Sequence, residues 1–164
     1  MAITRTGAAA EHEEKARLHY CNAFTAGKDE FVKAIAEYSE VIKLLPNDAE
    51  SYNFRASCYH SLEQDEKALD DLNMAISLEP QNDDHYYSRA LLYVNLGENE
   101  KGDADLEKAV ELNPKKAGEY YYSFGNRIKA CTGNKKEAAV YYKKSVEHGD
   151  DNGEAKAQLD EWGM

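Results

Sequence analysis

Cysteine is scarce in this chain: Cys21, Cys58 and Cys131 are three thiols in 164 residues, far apart and without a C-x-x-C pair. An odd number at wide spacing supports neither a disulfide framework nor a zinc site, so the thiols are expected to be reduced and mostly buried. Three prolines and ten glycines leave little material for long linkers. No apolar run approaches the roughly 18 residues of a membrane span, and the opening "MAITRTGAAAEHEEKARLHY" lacks the apolar core of a secretory signal. A soluble, cytoplasmic chain without a membrane partner is the expectation. Positive charge is also in deficit, with 20 Lys and Arg against 31 Asp and Glu and a net charge of −11. Such a surface repels phosphate backbones, which argues against nucleic acid as a partner.

Catalytic and metal-binding patterns are missing as well. There is no G-x-G-x-x-G, no phosphate-binding glycine loop with lysine and no G-x-S-x-G turn. The histidines are His12, His19, His60, His85 and His148, and none pairs with another at the i, i+4 spacing of a helical metal site. His12 and His19 are expected to be solvated. Mixed-charge runs such as "DEKALDD" and "ENEKGDADLEK" read as solvated helix faces with weak i, i+4 support. No metal, no cofactor and no enzymatic activity is expected.

What the chain does have is a period. Pro46, Pro80 and Pro114 stand at equal intervals, and they are its only prolines. At that interval Ala34 aligns with Ala68, Tyr38 with Leu72 and Leu106, Val41 with Ala75 and Ala109, and Leu44 with Leu78 and Leu112. Within a copy, Ala68, Leu69, Leu72, Ala75 and Ile76 recur at helical spacing, one stripe of an amphipathic helix that the proline ends. Upstream lies a second stripe, Tyr52, Ala56 and Tyr59, repeated as Tyr86, Ala90 and Tyr93. The alanines leave room for a neighbouring helix, and the tyrosines are expected to fill the space on either side. The short polar turns "LEQDE" and "LGENE" suit antiparallel neighbours. After Pro80, Asp83 or Asp84 is expected to cap the next helix.

"YNFRASCYHSLEQDEKALDDLNMAISLEP" and "YYSRALLYVNLGENEKGDADLEKAVELNP" resemble tetratricopeptide repeats, whose period of about 34 residues matches the proline interval. The first copy keeps Ala34, Tyr38, Val41 and Pro46 but carries two additional residues in "AGKDEFVKA"; the fourth keeps Phe124, Gly125, Ala138 and Tyr142 and ends in His148-Gly149 instead of proline. The resemblance implies an all-α, right-handed superhelix of about four helix-turn-helix repeats plus a C-terminal capping helix. The expected divisions are a frayed N-terminus over 1–11, repeats over about 12–48, 49–82, 83–116 and 117–149, and a capping helix over 150–164 bearing Ala155, Leu159 and Trp162.

On the first helix of each repeat, the 100° step per residue leaves one stripe opposite the packed one. It comprises Glu50, Asn53, Phe54, Ser57 and Ser61 in the second copy and Asp84, Tyr87, Ser88, Leu91 and Asn95 in the third. In the fourth it comprises Glu119, Tyr122, Ser123, Asn126 and Ala130. The family typically uses this wall to hold an extended peptide or a partner's helix. Here Phe54, Tyr87, Leu91 and Tyr122 supply apolar area, while the asparagines can hydrogen-bond a peptide backbone in both directions. Members that clamp the acidic tail of heat-shock chaperones line this wall with basic residues, whereas these stripes carry Glu50, Asp84 and Glu119; the clamp is therefore expected to be absent and a neutral or basic partner segment preferred. The expected function is a non-catalytic interaction module. The alternative is a structural module mediating self-association or subunit assembly.

Overall fold

A computed structural model describes residues 7–149 and 153–164. Among these residues all regular structure is helical. The chain divides into two compact units, Met1–Gln81 and Asn82–Met164.

The N-terminal unit contains α1 (Ala8–Ala26), α2 (Lys28–Leu44), α3 (Ala49–Ser61) and α4 (Asp65–Leu78). Helices α1 and α2 form one antiparallel pair, α3 and α4 the next, and α3 also packs on α2. The C-terminal unit contains α5 (Asp83–Asn95), α6 (Asn99–Leu112), a single 3-10 turn over Pro114–Lys116, α7 (Ala117–Thr132), α8 (Lys135–Glu147) and α9 (Glu154–Trp162). Here α5 pairs with α6 and α7 with α8; α7 packs on α5 and α6, and α9 packs on α8.

The prolines act through the residue before them. Leu45, Glu79 and Asn113 immediately follow α2, α4 and α6, and adopt φ/ψ of −132/76, −131/73 and −138/77°. A proline ring clashes with an α-conformation at the preceding residue, so three separate helices stop in one geometry. The tight turns repeat as well: Glu63 takes a left-handed φ of 61° where its counterpart Gly97 takes 76°. Glu63 is thus held in a conformation that glycine adopts without steric cost.

Helix α1 starts at Ala8, so residues 8–11, expected to be frayed, belong to it; residues 1–6 of that stretch lie outside the described residues. The additional residues of "AGKDEFVKA" extend the helices rather than the turn. α1 and α2 run for 19 and 17 residues, against 13 and 14 for α3 and α4, and Gly27 alone, at φ 101°, joins them. The cap of α5 is Asn82, whose side chain accepts from the Asp84 amide. Asp83 and Asp84, the caps expected from sequence, lie inside the helix, where a side chain does not reach back to the first free amides. Replacing Asn82 by alanine is expected to cost about 1 kcal/mol of stability, read as a lower urea midpoint in circular dichroism.

The alanine columns are core. Ala34, Ala68, Ala75, Ala90, Ala109 and Ala138 are all fully buried. In the C-terminal unit they surround Leu106, Phe124, Ile128 and Tyr142; in the N-terminal unit Phe31, Tyr38 and Cys58 lie with Ala16 and Ala34. Gly125 permits a close approach, since a Cβ there would stand 2.8 Å from the Tyr142 ring. Of the capping segment, Ala155 and Leu159 are buried and the Trp162 ring lies 5.5 Å from that of Tyr142. Of the cysteines only Cys58 is buried, with its thiol pushed up to about 12 by that burial; Cys21 and Cys131 are exposed, contrary to expectation.

Candidate functional site

The candidate stripe emerges on the first helix of each pair. None of Glu50, Asn53, Phe54, Ser57, Asp84, Tyr87, Ser88, Leu91, Asn95, Glu119, Tyr122 and Asn126 is in the core; Asp84 and Glu119 are exposed and the others half-buried. They alternate with buried residues of the same helices, Ala56 and Cys58 on α3, Ala90, Leu92 and Val94 on α5, Phe124 and Ile128 on α7. One face of each helix is therefore committed to packing and the other is accessible.

In the N-terminal unit the accessible face is already furnished. Phe54 stacks on Tyr38 with ring centroids 5.7 Å apart and meets Tyr20 edge-on at 6.0 Å. The Arg17 guanidinium lies 5.6 Å from the Phe54 centroid and pairs with Glu13 at 2.9 Å and Glu50 at 3.2 Å. Two buried polar atoms of this unit, the Tyr38 hydroxyl and Asn53 Oδ1, have no hydrogen-bond partner among the described residues. Burial pushes the Tyr38 phenol well above its usual range. Ser57 donates to the backbone carbonyl of Asn53.

In the C-terminal unit α5 and α7 lie side by side. Tyr87 stacks on Tyr120 at 4.2 Å. Burial raises the Tyr87 phenol, while a hydrogen bond from Ser123 partly opposes the shift. Near the start of both helices Asp84 accepts from Lys116 at 2.7 Å and from the Tyr120 hydroxyl at 2.9 Å, and Asp83 accepts from Tyr120 at 2.5 Å and from Asn113 at 3.1 Å. Burial works against the Asp83 carboxylate, but these donors outweigh it and hold its pKa below the usual value. Further along, Asn95 Oδ1 accepts from Arg127 at 3.3 Å, and Asn126 Oδ1 accepts from the Tyr142 hydroxyl at 2.7 Å. Tyr122 lies against Tyr142, with centroids 5.7 Å apart. Several polar groups expected to face a peptide therefore already hold partners within the chain. Leu91 packs on the edge of the core, Ser88 is half-buried and Glu119 is exposed.

A second recurring constellation corrects the reading of the mixed-charge runs as solvated faces. Arg55 binds Asp71 through two bonds of 2.8 and 2.7 Å, and Arg89 binds Asp105 through two of 2.7 and 2.8 Å. The guanidinium carbon of Arg55 lies 5.5 and 5.7 Å from the centroids of Tyr52 and Tyr59, and that of Arg89 lies 5.9 Å from both Tyr86 and Tyr93. The tyrosines expected to fill space between helices thus flank a buried ion pair, and Asp71 and Asp105 are buried. Both arginines and both aspartates repeat at the interval of the prolines, a signal present in the sequence. His12 and His19, expected to be solvated, instead bond Glu37 and Glu30 at 2.6 and 2.7 Å; His60 bonds Asp65 at 2.7 Å, and His85 is buried. Among the described residues no group of three His, Cys, Asp or Glu is placed to hold a metal, and no helix is long and apolar enough to cross a membrane.

One family model, described as TPR repeat, matches residues 56–97, and a second, Tetratricopeptide repeat, matches residues 85–116. No curated protein matches the chain. Among solved structures, a crystal structure of MamA superposes on 89% of this chain and 81% of its own, with TM-score 0.68 and 24% identity. The first TPR of Spaghetti (RPAP3), bound to the HSP90 peptide SRMEEVD, covers 76% of this chain and 90% of its own, with TM-score 0.62 and 22% identity. YrrB, described as a TPR protein with an unusual peptide-binding site, covers 90% of this chain and 72% of its own at TM-score 0.62 and 22% identity. At such identities the structures speak for the fold, and the two sequence models speak for the repeat itself. With helix pairs recurring at the proline interval, proline-terminated second helices and buried alanine columns, the chain belongs to the tetratricopeptide repeat family.

Proposed function

We propose that the chain is a non-catalytic interaction module that holds a peptide or helix of a partner protein on the accessible face of its first helices, with repeats over about 12–48, 49–82, 83–116 and 117–149 and a cap over 150–164. The observation that carries this reading is the α5–α7 face. Tyr87, Leu91 and Tyr122 stand half-buried between buried Ala90 and Phe124 below and solvent above. Such surfaces bind by covering aromatic and aliphatic area while polar neighbours fix orientation. The structures of Spaghetti with its HSP90 peptide and of YrrB with its peptide-binding site make peptide binding on this fold a reasonable model for the chain.

The acidic chaperone tail is not the partner we propose. Glu50 and Asp84 are neutralised by Arg17 and Lys116, so those cations are already engaged. A second acidic tail would leave carboxylates competing for the same partners. A neutral segment, or one bringing its own cation, fits better.

Ser88→Arg tests the face without removing a packed side chain. Captured partners are expected to bind it at least tenfold more weakly than wild type in fluorescence anisotropy, while the acidic peptide SRMEEVD binds neither protein at micromolar concentration. Equal binding to both proteins would place the contact elsewhere, and micromolar binding of SRMEEVD would restore the clamp. Loss of partner binding only as light scattering shows self-association would favour assembly, a reading that the exposed Leu18, Phe24 and Val32 of the first helix pair make worth checking.

A further inference from the structure

The four described arginines are not equivalent. Arg17 holds Glu13 and Glu50, Arg55 holds Asp71 and Arg89 holds Asp105, whereas Arg127 donates only to the neutral Asn95 amide, at 3.3 Å. Arg127 is half-buried on α7 and reaches Asn95 on α5, and among the described residues it has no carboxylate partner. A guanidinium presents a planar fork of donors that matches a carboxylate in two parallel bonds. The Asn95 contact fixes that fork while using only one of its nitrogens. At the other end of the same face Glu119 is exposed and also lacks an ion-pair partner among the described residues. Neighbouring charges there are matched, since Asp84 and Asp83 share Lys116.

Glu119 and Arg127 stand eight positions apart on α7, about 12 Å along its axis at 1.5 Å per residue. They cannot pair with each other. An extended chain advances about 3.3 Å per residue, so about four residues of it span the gap. The half-buried Tyr87 lies within electrostatic reach of both charges, and the half-buried Leu91 stands one turn further along α5.

We propose that the α5–α7 face binds an extended segment of a partner protein that carries one cationic and one anionic side chain about four residues apart. The cation lies on Glu119, the anion on Arg127, and an apolar residue between them covers Tyr87 and Leu91. This rests on the interaction-face reading above and deepens it by giving the partner's chemistry. The chain's net charge of −11 disfavours a uniformly acidic segment at long range, but screening confines that field to about 8 Å at physiological salt. A local guanidinium can therefore still select a single anion. Charge order along the groove, more than total affinity, is what such an arrangement provides.

The experiment is selection of a random dodecamer phage library on the full chain, followed by affinity measurement with the enriched peptide and its Lys→Gln and Glu→Gln versions. Enrichment of a basic and an acidic residue three to five positions apart is expected. Arg127→Gln should weaken the enriched peptide about tenfold yet leave the version lacking its acid unchanged; Glu119→Gln should do the same with respect to the base. Arg127→Lys, which keeps the charge and loses the fork, should recover part of the loss, and circular dichroism confirms that each variant is folded. Enriched peptides without paired charges, or paired charges indifferent to both variants, overturn this inference alone. Enrichment no better than on an unrelated helical protein overturns the interaction face itself, and the inference with it.

Discussion

Phe124→Ala is expected to lower the stability of the C-terminal unit by about 3–5 kcal/mol. The ring is fully buried and meets Tyr141 edge-on with centroids 4.8 Å apart. On its other side Cζ stands only 3.3 Å from where a Cβ on Gly102 would be, so the ring fills the space a glycine leaves. The surrounding Ala90, Ala109 and Ala138 are too short to collapse into the cavity, which places the cost at the upper part of the range for a truncated aromatic. Trp162, the only tryptophan of the chain and in contact with Tyr142, reports on this unit. Its fluorescence should lose its cooperative transition at a much lower urea concentration than in wild type. Phe124→Leu, which keeps most of the volume, should lose less than half as much. An unchanged midpoint for the alanine variant would mean that the ring is not the keystone of this core.

Asp105→Ala is expected to cost about 3 kcal/mol, the lower end of what removing one partner of a buried ion pair costs. The low end applies because the Arg89 side chain retains 19% exposure and Asp105 11%. The loss comes less from the attraction forfeited than from a guanidinium left without its carboxylate between Tyr86 and Tyr93. Removing both charges should therefore be milder: Arg89→Met with Asp105→Leu is expected to recover at least half of the loss. Urea midpoints of Arg89→Met, Asp105→Leu and the double form a thermodynamic cycle. If the double variant were as unstable as the sum of the singles, the pair would not act as a unit.

The ion pairs show how a correct sequence signal can be given the wrong meaning. Arg55 and Arg89, like Asp71 and Asp105, recur at the same interval as Pro46 and Pro80, and are as visible as the prolines. Asp71 and Asp105 lie in runs of mixed charge that read as solvated, and local charge density does not reveal which members point inward. His12 and His19 depart from expectation for the same reason. His12 lies 25 residues from Glu37, a distance at which only the antiparallel pairing of α1 with α2 makes them neighbours.

The candidate stripe was legible at the level of the helix and not at the level of the atom. A 100° step correctly separates residues such as Tyr87 and Leu91 from the buried Ala90 and Leu92. It does not show that Asn126 accepts from Tyr142 or that Lys116 reaches Asp84, nor does it mark Arg127, one position outside the stripe, as the arginine without a carboxylate.

By itself the sequence determined the repeat: the residue before each proline is driven out of the α-conformation by local sterics, and alanine columns at helical spacing admit close helix contact whatever surrounds them. The tertiary structure alone decided which charges are matched within the chain and which are not. Long side chains find their counter-charges on neighbouring helices, as Arg17 of α1 finds Glu50 of α3, and no periodicity within one helix records that choice.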